Sequence, residues 1–500
     1  MNKLRKPLWK SALLALSLLL LISLAFVFFG PRIFLKMWLN RDLGEESLFN
    51  TISSGEIEVG VFLDSLTVKD IKLSGPGDSL LSVAEARVNN LSAWALLKAT
   101  IGLGLWSDFL VNSPLELRRI QSQSQNPLIP SGTVATFSLN LLPTPEMTDE
   151  DFLDFGFRYL KLTDLDINLE ASQLKLKVET LALVNFRGST LESLTVTGFN
   201  RESPRNVFQF DQLSVRDLNP LAVYGLFGLE TVNFLAYLGA AQSIELRDLL
   251  VSPEFSLAKF NWSQPEDPSR PGQNNLSIDT LVLDLEALGW ASIPPSDPLL
   301  SSLIKALGPK PTANARLSFP TGSSPELMAH LDVLVKDKGQ MSLALTASSS
   351  FFLTLTDARP NYLALVADFG PGSWLYNDQG LVSAWAETFR AETGQDLFSQ
   401  LNFPDQALTE TSALRDELLT FFNAPQSLFL RWTPPIGYPI SSTKKVFQNG
   451  AQPDSDLLAD QDQVNQLIQK YGPLLFNDLN LSLAVNSQPA LTLKIPEMAP

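Results

Sequence analysis

The 500-residue chain has no cysteine and a single histidine. Without thiols there is no disulfide framework, no thiol nucleophile, no thiolate zinc site and no iron–sulfur cluster. Lack of cysteine does not identify a compartment, since it suits an oxidising space and also occurs in reducing ones. Basic residues are scarce as well: 37 Lys and Arg against 53 Asp and Glu leave a net charge of −16. Such a chain repels nucleic-acid phosphates, so DNA and RNA are not expected partners. Nucleotide loops are missing too. No glycine-rich loop ends in Gly-Lys-Ser/Thr, and Gly102-Leu103-Gly104 lacks the third glycine of a dinucleotide fingerprint.

Hydrolytic chemistry finds little support. There is no Gly-x-Ser-x-Gly elbow, and only His330 could serve a serine as an imidazole base. In Leu327-Met328-Ala329-His330-Leu331-Asp332-Val333 that histidine alternates with apolar residues, which reads as the wet face of a strand. Ser-x-x-Lys occurs at Ser172/Lys175, Ser256/Lys259 and Ser302/Lys305, without an accompanying Lys-Thr-Gly or Ser-Asp-Asn. The acidic groups at Thr148-Asp149-Glu150-Asp151 and at Asp454, Asp456, Asp460 and Asp462 read as helix starts, where the dipole favours carboxylates. A calcium loop at the second would put Leu458 where an oxygen ligand is needed. No catalytic, cofactor or metal residue is assigned, and the expectation is a protein that is not an enzyme and carries no cofactor.

What the chain does have begins with one apolar run. Ala12 to Phe29 carries no charge over 18 residues and is rich in leucine, with Leu13, Leu16, Leu20, Leu24 and Phe28 along it. As a helix it would reach about 27 Å, close to the hydrocarbon thickness of a bilayer. Lys3, Arg5, Lys6 and Lys10 precede it, and the first acid after it is Asp42, so the positive-inside rule puts the N-terminus in the cytoplasm. Arg32, Lys36 and Arg41 weaken that asymmetry. Ser23-Leu24-Ala25 resembles a signal-peptidase site, but the run continues through Phe26-Val27-Phe28-Phe29, which favours an uncleaved signal-anchor. Either way the body is exported. Leu91 to Val111 and Leu221 to Ala241 are also apolar, yet they contain Lys98, Asp108 and Glu230 and read as buried helices.

Beyond the anchor, period-two alternation dominates, as in Ile57, Val59, Val61 and Leu63, or Leu174, Leu176 and Val178 against Lys175, Lys177 and Glu179. It returns over Leu276 to Leu285 and over Leu479 to Val485. One wet face implies antiparallel sheet. A local unit recurs within it: an apolar pair, an Asp, and an apolar pair in the opposite phase. It appears at Leu66 to Leu73 around Asp70, at Leu160 to Ile167 around Asp164, and at Ile244 to Val251 around Asp248. Partial copies surround Asp217 and Asp478. A step of three turns the apolar set outward unless the strand bulges at the Asp, or ends there in a turn. Both alternatives stay open at this point.

Helical patterns cover Asn219-Pro220 to Ala241, Ser383 to Glu392, Ser412 to Phe422, and Asp456 to Tyr471, with leucine, valine and isoleucine on one stripe of the last. Proline-dense stretches at 264–273, 294–298 and 308–311 read as linkers. The expected organisation is a tail and transmembrane anchor at 1–30, a first β-rich region with buried helices at 31–270, and a second at 271–500 with helical insertions near 380–424 and 455–471. The fold class is mainly β, a long curled antiparallel sheet with a few packed helices.

A basic tail, one span and strands carrying these Asp-centred units resemble the AsmA-like and YdgA-like envelope proteins of Gram-negative bacteria. The resemblance implies an inner-membrane anchor, a periplasmic body and a curled sheet whose apolar groove takes membrane lipid, with no catalytic residues. Other envelope proteins are a further class of partner, and a scaffold without lipid is the alternative reading. Asp378-Gln379-Gly380-Leu381-Val382, and Leu418 to Leu428 with its Asn423-Ala424-Pro425 turn, resemble segments of exported proteins of similar layout.

Overall fold

The structure, a computed structural model, describes residues 51–60, 64–75, 80–91, 113–123, 131–141, 156–187, 190–220, 222, 238–265, 272–290, 298–321, 327–347, 369–397, 411–433, 480–486 and 491–493. The expected anchor lies outside them, with Leu13, Leu16, Leu20, Leu24, Phe28 and the basic residues Lys3, Arg5, Lys6 and Lys10. Among the described residues no helix is long and apolar enough to cross a membrane. The chain is mainly β, and every register among those residues is antiparallel. It divides into two compact units, 1–213 and 214–500. That division falls well before the boundary expected near 270, because the proline-rich stretch there joins two strands paired side by side within one unit.

In the first unit, β1 (Thr51–Ser53) and β2 (Ile57–Val59) both pair with β3 (Ser65–Ser74). An up-and-down series follows, each strand paired with the one before: β4 (Leu80–Asn89), β5 (Leu115–Gln123), β6 (Ser131–Leu141), β7 (Gly156–Leu169), β8 (Leu174–Arg187) and β9 (Thr190–Glu202). The β7–β8 connection is one tight turn, Glu170–Ser172, closed by Gln173 at φ 51°. Strand β10 (Val207–Leu218) contains the division between the units.

In the second unit the series is β11 (Ser243–Ser252), β12 (Phe255–Ser263), β13 (Gly272–Leu283), β14 (Thr312–Thr321), β15 (Leu327–Val335), β16 (Gly339–Ala347), β17 (Phe369–Asp378), β18 (Ser427–Trp432), β19 (Leu481–Val485) and β20 (Leu491–Leu493). Each pairs with the next, and among the described residues no register joins β20 back to β11. Among the described residues three helices enter these connections: α1 (Pro298–Leu307) between β13 and β14, and α2 (Leu381–Thr393) and α3 (Thr411–Asn423) between β17 and β18. Helices α2 and α3 match the expected Ser383–Glu392 and Ser412–Phe422. Helix α1 starts on Pro298, the last residue of an expected linker. The signal for it was Pro298 in the first turn and Gly308 past the end, where the Gly308 N–H reaches the carbonyls of Ile304 and Lys305 at 3.2 and 3.1 Å. At Asn219 the expected cap forms, its Oδ1 accepting the Ala222 N–H at 3.0 Å. The pattern at Asp456 to Tyr471, the stretch Leu91 to Val111 beyond its buried first residue, and the acidic groups at 148–151 and 454–462 lie outside the described residues.

Candidate functional site

The Asp-centred units define the local geometry. Asp70, Asp164 and Asp248 take φ of 53°, 50° and 52° inside strands that continue on both sides, so none of them ends a strand. No residue is inserted opposite Asp70 either. The register runs from Lys69–Glu85 to Ile71–Val83, leaving Asp70 and Ala84 unpaired but the count on both strands equal. At Asp248 it runs from Arg247–Lys259 to Leu249–Leu257 in the same way. Left-handed backbone is costly for most L-residues and less so for Asp and Asn, which accounts for the choice of residue. Asp217 takes φ 47° at the penultimate position of β10, and Asp478 lies outside the described residues, while Asn480 just before β19 takes φ 45°. Arg119, Gly198 and Thr280 adopt the same conformation in β5, β9 and β13, although they are not Asp. What could have found them is the phase change alone, from Leu115 and Leu117 to Ile120, or from Leu276 and Ile278 to Leu281.

Strand β14 fixes what the phase change does in the second unit. Its residues Ala313, Ala315 and Leu317 follow strict period two and therefore share a face. They pair with Leu281, Ile278 and Leu276, where β13 carries one extra residue at Asp279-Thr280. The Thr280 N–H is held by Asn314 Oδ1 at 2.6 Å. Ile278 and Leu281 thus lie on one face despite a spacing of three. Directly opposed residues share a face, so the same face continues to Phe260 and Leu257 on β12 and to Leu246 and Leu249 on β11.

In the other direction it runs without interruption. Leu317 faces Leu331, Leu331 faces Leu343, Leu343 faces Trp374, Trp374 faces Leu430, and Leu430 faces Leu483. The second unit therefore carries one apolar face from β11 to β19. The opposite face is mixed: Leu375, Phe429 and Ala484 oppose one another on β17 to β19, and polar groups stand at the centres of β14 to β16. Arg316 stands against Asp332, Asp332 accepts the Ser342 hydroxyl at 2.6 Å, and His330 is exposed between Ser318 and Ala344. His330 sits on a wet strand face.

Both ends of the apolar face are covered. At the β19 end Val485 is 0% exposed and Leu483 5%, packed under Val382 of α2 and Phe421 of α3. The Tyr376 ring stacks on Trp374 and meets Phe421 edge-on, each at 6.2 Å between centroids. Asp378 ties this end to α2: Oδ1 accepts the Tyr376 hydroxyl at 2.8 Å and the Val382 N–H at 3.0 Å, and Oδ2 accepts the Gly380 N–H at 2.9 Å. Burial, with Asp378 adding to it, pushes the Tyr376 phenol well above its ordinary range. Asn486, at φ 48°, accepts the N–H groups of Gln426 and Ser427 at 3.1 Å and donates to the Ala424 carbonyl at 2.7 Å. The two segments noted in the sequence, Asp378 to Val382 and Leu418 to Leu428, are thereby neighbours, joined by the Asp378 N–H on the Gln426 carbonyl at 2.8 Å.

Towards β12, Trp262 is 1% exposed and packs at 5.9 Å from Phe319, its indole N–H on the Ala241 carbonyl at 3.3 Å. Between the two covered ends, Ile278, Leu317, Leu331, Val333, Met341 and Leu343 are only half-buried. This strip is the candidate functional surface.

Elsewhere the candidates from the sequence do not assemble. The Ser302 hydroxyl is held by the Pro298 carbonyl at 2.6 Å and accepts the Trp385 indole N–H at 3.0 Å, while Lys305 pairs with Glu392 on α2. Lys259 is bound to Glu245 at 3.2 Å, together with Arg247, and the two cations hold that carboxyl below its ordinary range. Among the described residues no group of three or more His, Asp or Glu is placed to hold a metal ion. No family model and no curated protein matches the chain.

Proposed function

We propose that this chain is a membrane-anchored periplasmic protein of the bacterial inner membrane, and that it binds or conveys lipid, in support of envelope assembly, through the apolar face of its sheet. The observation that carries the reading is the strip between the two covered ends, where large aliphatic side chains stay half-buried on an otherwise dry face. Each methylene an acyl chain places there leaves water with a gain of about 0.8 kcal/mol, so roughly ten methylenes offset the ordering cost of one chain. The opposite face of β14 to β16 stays wetted by Arg316, Asp332 and Ser342, which confines the lipid to one side. The apolar run at 12–29 supports the reading by keeping the body close to a bilayer.

The test is co-purification. The full chain is extracted in mild detergent and its lipid is quantified per chain, beside a Leu343→Glu variant whose fold is checked by circular dichroism. The proposal expects bound lipid in the parent and a several-fold loss in the variant. Lipid at the detergent-blank level in both would refute it.

A further inference from the structure

In the first unit four left-handed strand residues, Asp70, Arg119, Asp164 and Gly198, fall on one line, while Asn185 of β8, also left-handed at φ 50°, lies off it. Asp70 on β3 lies opposite Ala84 on β4, and Ala84 lies opposite Arg119 on β5. Asp164 on β7 lies opposite Glu179 on β8, and Glu179 lies opposite Gly198 on β9. Between β5 and β7, the β6 register skips Ala135 at the same level. Every register from β3 to β9 omits its pair along this line, and the apolar phase of every strand changes there. The left-handed residue occurs on alternate strands, with the skipped Ala84, Ala135 or Glu179 between.

We propose that this line is a transverse hinge across the first unit's sheet. Ladder hydrogen bonds resist bending of a sheet about an axis perpendicular to its strands only where they are formed, and here six successive registers are interrupted at one level, by two pairs in β6–β7 and β8–β9 and by one in the other four. The strands pair again on both sides of the line, and a second, shorter interruption at Arg158, Asn185 and Glu192 crosses β7 to β9 only. The side chains on the line leave room for motion: Asp70, Arg119 and Asp164 are exposed, and Ala84 and Ala135 are small. Glu179 alone crowds it, lying so close to Gly198 that a Cβ there would come within 2.2 Å of its Cγ. Strands β14 to β19 of the second unit carry no such line. Their registers are unbroken through the strand centres, which supplies a rigid control in the same chain. The hinge does not depend on what the sheet binds.

The absence of cysteine makes the test direct. In the full chain, Lys161→Cys and Lys175→Cys place two exposed spin labels on opposite sides of the line, on β7 and β8. Met328→Cys and Lys336→Cys place a second pair along and just past β15, where no line occurs. Pulsed dipolar spectroscopy reads the width of each distance distribution. A hinge gives a distribution at least about twofold broader for the 161/175 pair than for the 328/336 pair, together with faster amide exchange at Ile71 and Thr163 than at Leu331 and Val333. Equal widths, or a broad pair without faster exchange beside the line, overturn the proposal.

Discussion

Ile278 and Leu281 of β13 share one face of the sheet although three residues separate them, because the extra residue at Asp279-Thr280 is absorbed against Asn314. Thr280 is left-handed there, and the same backbone conformation changes the phase at Asp70, Asp164 and Asp248 without an inserted residue. An Asp at these sites therefore has a conformational role, separate from its charge.

Asp164→Val should destabilise the chain by about 1–2 kcal/mol, because a β-branched residue resists φ near +50°. Asp164→Gly should stay within about 1 kcal/mol of the parent, since relief of that strain offsets the greater freedom of the unfolded glycine. Chemical denaturation of both variants makes the comparison, and equal losses for valine and glycine would assign the Asp another role.

Gly372 pairs with Trp432, and a Cβ at position 372 would come within 2.2 Å of the Trp432 ring and 2.6 Å of the Ala344 carbonyl. Gly372→Ala should therefore cost about 1–3 kcal/mol by displacing the ring. It should also free the indole N–H from the Gly370 carbonyl, to which it donates at 2.7 Å. A red shift in tryptophan emission accompanying the loss is the expected signature.

Tyr376 predicts an alkaline effect. Its phenol pKa is raised in the folded chain, so the stability it contributes is complete below the unfolded value near 10 and is lost as pH rises above it. Tyr376→Phe should cost about 1 kcal/mol near neutrality through the lost hydrogen bond to Asp378. The gap between parent and variant should narrow above about pH 10. Parallel pH–stability curves would contradict the assignment.

Asn486→Ala removes three hydrogen bonds that join the α3–β18 turn to β19 and leaves alanine at φ 48°. A loss of about 2–4 kcal/mol is expected. Amide exchange should localise it to Ala424 to Ser427.

Alternation made the strands legible, and the step of three around Asp70, Asp164 and Asp248 marked where they change phase. Whether the step meant a bulge or a turn was not legible, because it depends on the partner strand. Only the pairing of Lys69 with Glu85 and of Ile71 with Val83 decides it. Arg119 was invisible for the opposite reason. Nothing in its side chain favours left-handed backbone, and it takes that conformation in register with Ala84 and Ala135. Helix α1 was hidden by the prolines before it, which read as a linker although Pro298 is its first residue. The candidate surface was legible as an apolar strand face. That its middle stays half-buried while Val382 and Phe421 close one end is a property of packing that no periodicity reports.

A lipid-binding sheet must meet lipid with the Leu331 and Leu343 face of β15 and β16. Benzophenone side chains placed at Leu331 and Leu343, and in parallel at His330 and Ser342, sample opposite faces of the same two strands. Irradiation of the full chain in its native membrane should give lipid adducts at Leu331 and Leu343 and none above background at His330 and Ser342. Adducts at all four positions alike, or at none, would contradict a lipid-binding apolar face.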